Sequence, residues 1–322
     1  MNNMIKIKLD LTNEDQSKIL NNPVIREYLS RQNIFFVESD YDMLLIHASK
    51  LTDEILKIEK NIIILERIDA SIISKRNELK LDNVLGIIKN TILRPVALNN
   101  HEVFQSRYHS YLVLNNIQNK SEKKHFLNSE KKKKQKYSSS VNTKLTKEDL
   151  RKVEVGYGFS FYDKLQKYKY LRINFNRLRD IDIHFAGTSK YGNCTSITYH
   201  RNKCISEINK LKDCKVDCFD HREHTAKDYV NTLLNSKIVI SPWGFGEMCY
   251  RDFEAMYCGC VLIKPDTSFV QTYPDIFINN KTYIPCKVDF SDLQEKVMYI
   301  KNNWNKFKEM RINNRNLSNP YL

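Results

Sequence analysis

From Ile181 to Lys264, strand-length apolar runs alternate with helix-length amphipathic stretches, and this regularity constrains the fold more than any other feature of the sequence. Ile181–Phe185 reads as a strand that ends in Ala186-Gly187-Thr188, His200–Leu211 as a helix and Lys215–Phe219 as a strand. Ala226–Asn235 reads as a helix that leads directly into the strand Ile238–Ser241. A turn, Pro242–Gly246, is followed by the helix Met248–Tyr257, with Gly259 as its stop and Val261–Lys264 as the next strand. A βαβαβαβ order of this kind predicts a doubly wound parallel sheet, whose ligands sit beyond the C-terminal ends of its strands.

The first ~115 residues follow a looser version of the same pattern. Ile5–Leu9, Ile34–Val37, Met43–His47 and Ile62–Leu65 have strand length, and Asp15–Ser30 has a helical pattern. Ile92–Ala97 is a further candidate, demoted to an edge or strand end by Pro95. A chain of 322 residues holds two domains with a sizeable core in each. The expectation is an α/β protein of two Rossmann-like domains, residues 1–150 and 151–322, with Asn115–Leu150 as a basic, mobile loop or linker.

Charge concentrates in that break. Lys120–Lys136 carries eight lysines against Glu122 and Glu130, so it supplies +6 of the formal +14. Such a run suits an anionic membrane surface, but no aromatic interleaving marks it for specific nucleic-acid recognition. No run approaches the ~18 apolar residues of a membrane span, and the first ten residues lack a signal-peptide pattern. Eight cysteines at scattered spacings read as reduced thiols, with Cys258 and Cys260 too close for a usual zinc clamp. The expected setting is cytoplasmic, with peripheral membrane contact through the lysine run.

Glycine is scarce, eight in 322 residues, yet Gly187, Gly192, Gly244, Gly246 and Gly259 fall within one 73-residue window. Permissive residues gathered at strand ends mark loops where backbone approaches a ligand closely, although Gly259 alone reads as a helix C-cap. On the helix that follows, Glu247, Arg251 and Glu254 share one face at i, i+4 and i+7, opposite Cys249, Phe253, Met256 and Tyr257. The stripe faces either solvent or a cleft. At a glycine-rich strand end, a guanidinium suits a diphosphate and a carboxylate suits ribose hydroxyls.

The segment from Ile238 to Lys264 carries Ser-Pro, a Gly-rich turn, Arg-x-x-Glu-Ala at Arg251–Ala255 and Gly259 before the next strand. It resembles the donor-site signature of GT-B glycosyltransferases, most of all the exostosin-like and group 1 branch. Its Glu247–Glu254 spacing is one residue off the E-x7-E of many retaining members. The resemblance implies a nucleotide-sugar donor, with Glu254 on the ribose and Arg251 on the diphosphate. It further implies Gly187 and Thr188 along the phosphates, and Trp243, Gly244, Phe245, Gly246 and Glu247 shaping the turn against base or sugar. Lys264 would face the cleft and Arg201 would give a second phosphate contact. It implies a glycan or other hydroxyl acceptor, no bound cofactor and no metal.

An acceptor hydroxyl needs a general base within hydrogen-bond reach, expected from the first domain. Asp69, Glu66 and His47 stand at strand ends there. A metal-dependent GT-A-type transferase would use Asp-x-Asp, which Asp40-Tyr-Asp42 and Asp180-Ile-Asp182 match. Asp180 and Asp182, however, lie at the N-terminal end of their strand. A basic nucleic-acid-binding protein is the other alternative, and no GxSxG or HExxH signature marks a hydrolase.

Overall fold

A computed structural model describes residues 4–12, 27, 29–67, 73–94, 108–137, 143, 145–156, 165–168, 170–189, 196–219 and 225–318. Among these, six strands form a first sheet in the order β2 (Ile34–Phe36), β1 (Ile5–Asp10), β3 (Met43–His47), β4 (Ile62–Glu66), β5 (Val84–Lys89), β7 (Val153–Val155). Five form a second sheet in the order β13 (Ile284–Cys286), β11 (Val261–Pro265), β10 (Ser236–Ile240), β8 (Ile181–Ala186), β9 (Val216–Phe219). Every pairing within both sheets is parallel. The fold class is therefore the expected one, α/β with two Rossmann-like sheets.

Both sheets reverse their winding once. In the first, β2 lies on one side of β1 and the later strands on the other; in the second, β9 and β10 flank β8 in the same way. The crevice at such a reversal is where open α/β sheets bind ligands. In the second sheet it opens between the ends of β8 and β10, at Gly187-Thr188 and Ser241–Gly246.

Strand alternation explains why the second sheet is covered on both faces. Ile238 and Ile240 of β10 pack with Ile183, Phe185 and Ile263 beneath Cys204 and Ile208 of helix Ser196–Ile208 and Val297 and Ile300 of helix Leu293–Asn302. Val239, one residue out of phase, joins Leu262 on the other face. There it meets Phe253, Met256 and Tyr257 of helix Tyr250–Tyr257 and Leu233 of helix Ala226–Asn235. Each fully buried large apolar side chain contributes about 1.5–3 kcal/mol. In the first sheet Ile46, Ile62, Ile64 and Val84 form one such layer with Ile73 and Leu79.

The basic segment differs from its expectation as a loop. Lys120–Tyr137 is a helix of 18 residues, and Lys147–Arg151 is a short one capped by the Thr146 and Asp149 side chains. Lysine and glutamate are good helix formers, and Asn119 Oδ1 accepts from the Ser121 and Glu122 amides at its start. Phe126 is buried with Leu114 and Ile117, its ring 5.3 Å from Tyr199. Among the described residues Phe126 anchors the helix, while its lysine-rich mean composition reads as loop. Ser138–Ser140, most of Asp15–Ser30, Pro95–Ala97, Asp69 and Gly192 lie outside the described residues.

The first sheet also extends past residue 150, because β7 pairs with β5. Before that, the chain visits the second domain. Strand β6 (Ile92–Leu93) pairs antiparallel with β12 (Val270–Gln271), and Arg94 binds the Ser268 carbonyl and the Asp275 carboxylate. Helix Tyr108–Asn115 then packs on helix Ser196–Ile208. Among the described residues, no helix is long and apolar enough to cross a membrane.

Candidate functional site

The helix Tyr250–Tyr257 is fixed at both ends by charged side chains. At its start Asp252 accepts from the Cys249 amide (2.8 Å) and the Ser241 hydroxyl (2.6 Å), and it pairs with Lys264 at 3.0 Å with both side chains fully buried. At its end Arg179 donates to the Cys258 carbonyl, Arg311 to Gly259 and Arg315 to Tyr257. Three guanidinium groups thus satisfy carbonyls that a helix C-terminus leaves open, where its dipole favours cations. Gly259 has φ of +68°, and a Cβ there would meet the Phe175 ring at 2.9 Å. The helix is locked as a rigid shelf.

That shelf presents Arg251 at the crevice. Arg251 is 8% exposed, and its guanidinium lies 5.1 Å from the Phe185 ring centre. It is so close to Gly187 that a Cβ on that residue would come within 2.2 Å of Nη2. Any larger residue at Gly187 would displace this guanidinium, so the glycine after β8 lets Arg251 take its place. Nε and Nη1 of Arg251 are buried with no hydrogen-bond partner, and among the described residues the side chain makes no ion pair. A buried cation normally brings its counter-charge with it. This one meets none among the described residues.

Arg201 performs a different task. Its Nη1 donates to the Thr188 carbonyl (2.7 Å) and its Nε to the Trp243 carbonyl (3.3 Å), which ties together the two loops that flank the crevice. A Cβ on Gly244 would lie 3.1 Å from Arg201 Nη2 and 3.3 Å from Cys249 Sγ, so this loop also packs at glycine distance.

One turn beyond Arg251, Glu254 is 9% exposed, and its two oxygens accept from Tyr168 (2.9 Å) and Tyr229 (2.7 Å). Burial, and then Glu254 itself, push both phenols up, so they remain donors to a carboxylate. Lys167, partly exposed, stands 3.7 Å from Glu254 on the rim. His184 Nδ1 is 2.7 Å from Asp217, and its ring lies 5.6 Å from that of Tyr229. Burial lowers His184 despite Asp217, which keeps it neutral. Of the predicted stripe, Arg251 and Glu254 lie on the helix and are buried rather than solvent-facing, whereas Glu247 precedes the helix, which starts at Tyr250.

The remaining donor candidates divide by exposure. Phe245 stands 42% exposed at the tip of the turn, whereas Trp243 is buried and donates from Nε1 to Thr267 Oγ1 at 3.0 Å. Gly246 is buried, and its carbonyl accepts from the Gly244 amide. Glu247 is fully buried and faces His109 Nδ1 at 3.1 Å. Lys264 is held by Asp252 beneath the turn and over the Phe277 ring.

Of the base candidates in the first domain, Glu66 is completely buried. It pairs with Lys89 at 2.9 Å and accepts from the Ser74 amide. Burial alone would raise its carboxyl, but Lys89 and Ser74 outweigh that and hold it below the usual range. His47 ends β3 at the first sheet's own winding reversal, where Lys50 and Asp10 pair across the strand ends. Its Nδ1 accepts from the Ser49 amide, which leaves the ring proton on Nε2 in the neutral form. Burial and Lys50 lower His47, so that form is favoured.

The Asp-x-Asp candidates are engaged elsewhere. Asp182 pairs with Lys237 and Lys301 at the N-terminal end of β8, Asp40 pairs with Lys6, and Asp42 accepts from the Lys6 amide. Sequence reasoning missed Tyr168, Tyr229 and His109. The two tyrosines sit 86 and 25 residues from Glu254 in sequence, and no spacing signal connects them.

No family model matches the chain, and no curated protein matches its sequence. Among solved structures it is similar to a Listeria monocytogenes protein assigned as a UDP-N-acetylglucosamine 2-epimerase, with 10% identity, TM-score 0.41, and 98% of this chain and 94% of that one covered. Anabaena HepE in complex with UDP-glucose gives 9%, 0.40, 99% and 95%, and a Rickettsia africae glycosyltransferase gives 12%, 0.41, 99% and 94%. At TM-scores this low, a functional argument rests on the residues of the crevice themselves.

Proposed function

We propose that this chain is a GT-B-type glycosyltransferase that takes its sugar from a nucleotide donor bound at the winding reversal of the second sheet. Arg251 carries the reading. Its buried guanidinium, with two nitrogens unsatisfied and Gly187 cleared for it, is a receptor for an anion supplied by a ligand. A diphosphate there would bind the guanidinium and the loop amides around Gly187 and Thr188, with Arg201 holding those loops at the right separation. Glu254 would receive the ribose hydroxyls, its carboxylate aligned by Tyr168 and Tyr229, and exposed Phe245 would meet the base or the sugar.

In this reading a hydroxyl acceptor attacks the anomeric carbon, and the electron pair of the breaking C–O bond leaves on the diphosphate. Arg251 stabilises that charge as it develops, as fixed donors in a dry site do for a leaving group. Transfer proceeds without a divalent ion, Asp40 and Asp182 of the two Asp-x-Asp copies being held in ion pairs away from the crevice. The test is a thermal-shift panel of UDP-, GDP-, ADP-, CMP- and dTDP-sugars in excess EDTA, followed by turnover with the donor that binds. One class should raise the unfolding midpoint and be turned over in EDTA. No shift with any donor defeats the donor assignment, and turnover that requires manganese defeats the metal-free mechanism.

A further inference from the structure

The crevice is built by the second domain, yet one turn of helix from the crossover segment reaches Phe269, the glycine turn and the start of the helix that carries Arg201. Tyr108, His109 and Ser110 are consecutive. The Tyr108 ring sits edge-on to Phe269 at 4.7 Å, and Phe269 in turn lies 5.9 Å from Trp243. His109 Nδ1 faces Glu247 at 3.1 Å, and its ring lies 6.0 Å from Trp243. Ser110 Oγ accepts from Ser196 Oγ at 3.2 Å, at the start of the helix that carries Arg201.

His109 is the informative member. It is 1% exposed, and among the described residues its Nε2 is buried with no partner. A leucine or phenylalanine would remove that nitrogen but also the donor to the fully buried Glu247, so it is the pair with Glu247, and not packing, that calls for histidine. Because a carboxylate only accepts, Nδ1 is the donor to Glu247. Glu247 immediately follows the glycine turn Pro242–Gly246, and Trp243 opens that turn. His109 therefore grips the turn at both ends. His200 stacks on Trp243 at 5.2 Å from the other side and is held neutral, chiefly by burial and then by His109.

We propose that His109 is a positioning residue for the donor site. Through Glu247 and Trp243 it sets the glycine turn, so that donor affinity depends on a residue outside the domain that binds the donor. The inference rests on the donor reading above, and its test keeps the two apart.

Three full-length proteins in a Trp304→Phe background report on Trp243 alone: the parent, His109→Leu and His109→Gln. Leucine removes the donor to Glu247 but fills the space, whereas the glutamine amide still donates to the carboxylate. Intrinsic emission and acrylamide quenching follow the turn, and titrations with UDP, GDP and inorganic pyrophosphate in EDTA follow the anion site. His109→Leu should stay folded, shift the Trp243 emission and weaken the ligand that binds the parent about tenfold or more, since misplaced contacts lose affinity steeply. His109→Gln should restore both readouts to within about threefold of the parent. Unchanged emission and affinity in His109→Leu would overturn the proposal, as would loss of affinity in both variants alike. If the parent binds none of the three probes and none of the nucleotide sugars of the panel, the donor reading fails, while the emission of the leucine variant still decides whether His109 sets the turn.

Discussion

Replacing Arg251 by methionine should separate stability from binding, because among the described residues this side chain has no counter-charge. Methionine keeps most of the volume and the contact with Phe185 while removing the charge. Two buried N–H groups without partners cost about 1–3 kcal/mol each, and the lost cation–π contact with Phe185 gives back about 0.5–2 kcal/mol. The ligand-free variant should therefore be as stable as the parent or more stable by up to about 5 kcal/mol, each kcal/mol raising the midpoint by roughly 2–4 °C for a domain of this size. Binding should move the opposite way. Two charge-assisted hydrogen bonds to a diphosphate are worth about 1.5–3 kcal/mol each, so a ~100-fold weaker dissociation constant is a conservative expectation. At a ligand concentration 100 times the parent's constant, the parent gains about 2.7 kcal/mol and the variant about 0.4 kcal/mol. Thermal unfolding with and without the donor identified by the panel reads both quantities in one experiment. A variant that loses several degrees without ligand yet keeps the parent's ligand shift would show that Arg251 is structural and that the anion site lies elsewhere.

Gly187→Ala places a methyl group against Arg251 Nη2 and should weaken pyrophosphate and nucleoside diphosphate alike in a titration, with little loss of fold. Glu254→Gln should weaken nucleoside diphosphates while sparing pyrophosphate, because the carboxylate is assigned to the ribose; equal loss of both probes would refute that division. Lys89→Met leaves the Glu66 carboxyl buried and unpaired and should cost about 3–5 kcal/mol in denaturant unfolding. In the parent, Glu66 is depressed below its unfolded value, so the stability it contributes is complete above the usual carboxylate range and is lost as pH falls through the lower folded value. The variant should lose much of that acid dependence. Phe126→Ala should cost about 3 kcal/mol and loosen the basic helix, seen as lost amide protection across Lys120–Tyr137.

The second sheet was legible because it is fully wound. Buried strands such as Ile238–Ile240 read as apolar runs, and the helices between them keep a 3.6-residue period, so most predicted elements fall within a few residues of those observed. Gly259 was legible as a C-cap for the same local reason. The basic helix was not, because its fold depends on Phe126 meeting Tyr199 some seventy residues on, and its average composition conceals that one contact. The limit is the same at the site. The Arg251–Glu254 stripe can be read from sequence, but the identical stripe on a solvent face would give the identical sequence.

What distinguishes the two cases is the disposition of counter-charges, which only three-dimensional pairing fixes. Asp252, one residue from Arg251, is spent on Lys264, Ser241 and the Cys249 amide. Glu254, three residues on, is turned toward Tyr168 and Tyr229. Glu247, four residues back, is turned toward His109. Each carboxylate that the sequence places within reach of Arg251 is thus assigned to another partner, and it is this diversion that leaves the guanidinium open to an anion. A charge ledger over Glu247–Glu254 comes out at two cations short, with Arg251 the only basic residue among three acids. The structure holds those acids with Lys264, His109 and two phenols drawn in from elsewhere in the chain. Arg251 is therefore open to an anion because of where the neighbouring acids point, and any substitution that frees one of them, Lys264→Met most directly, should close the site to anions by giving Arg251 a partner of its own.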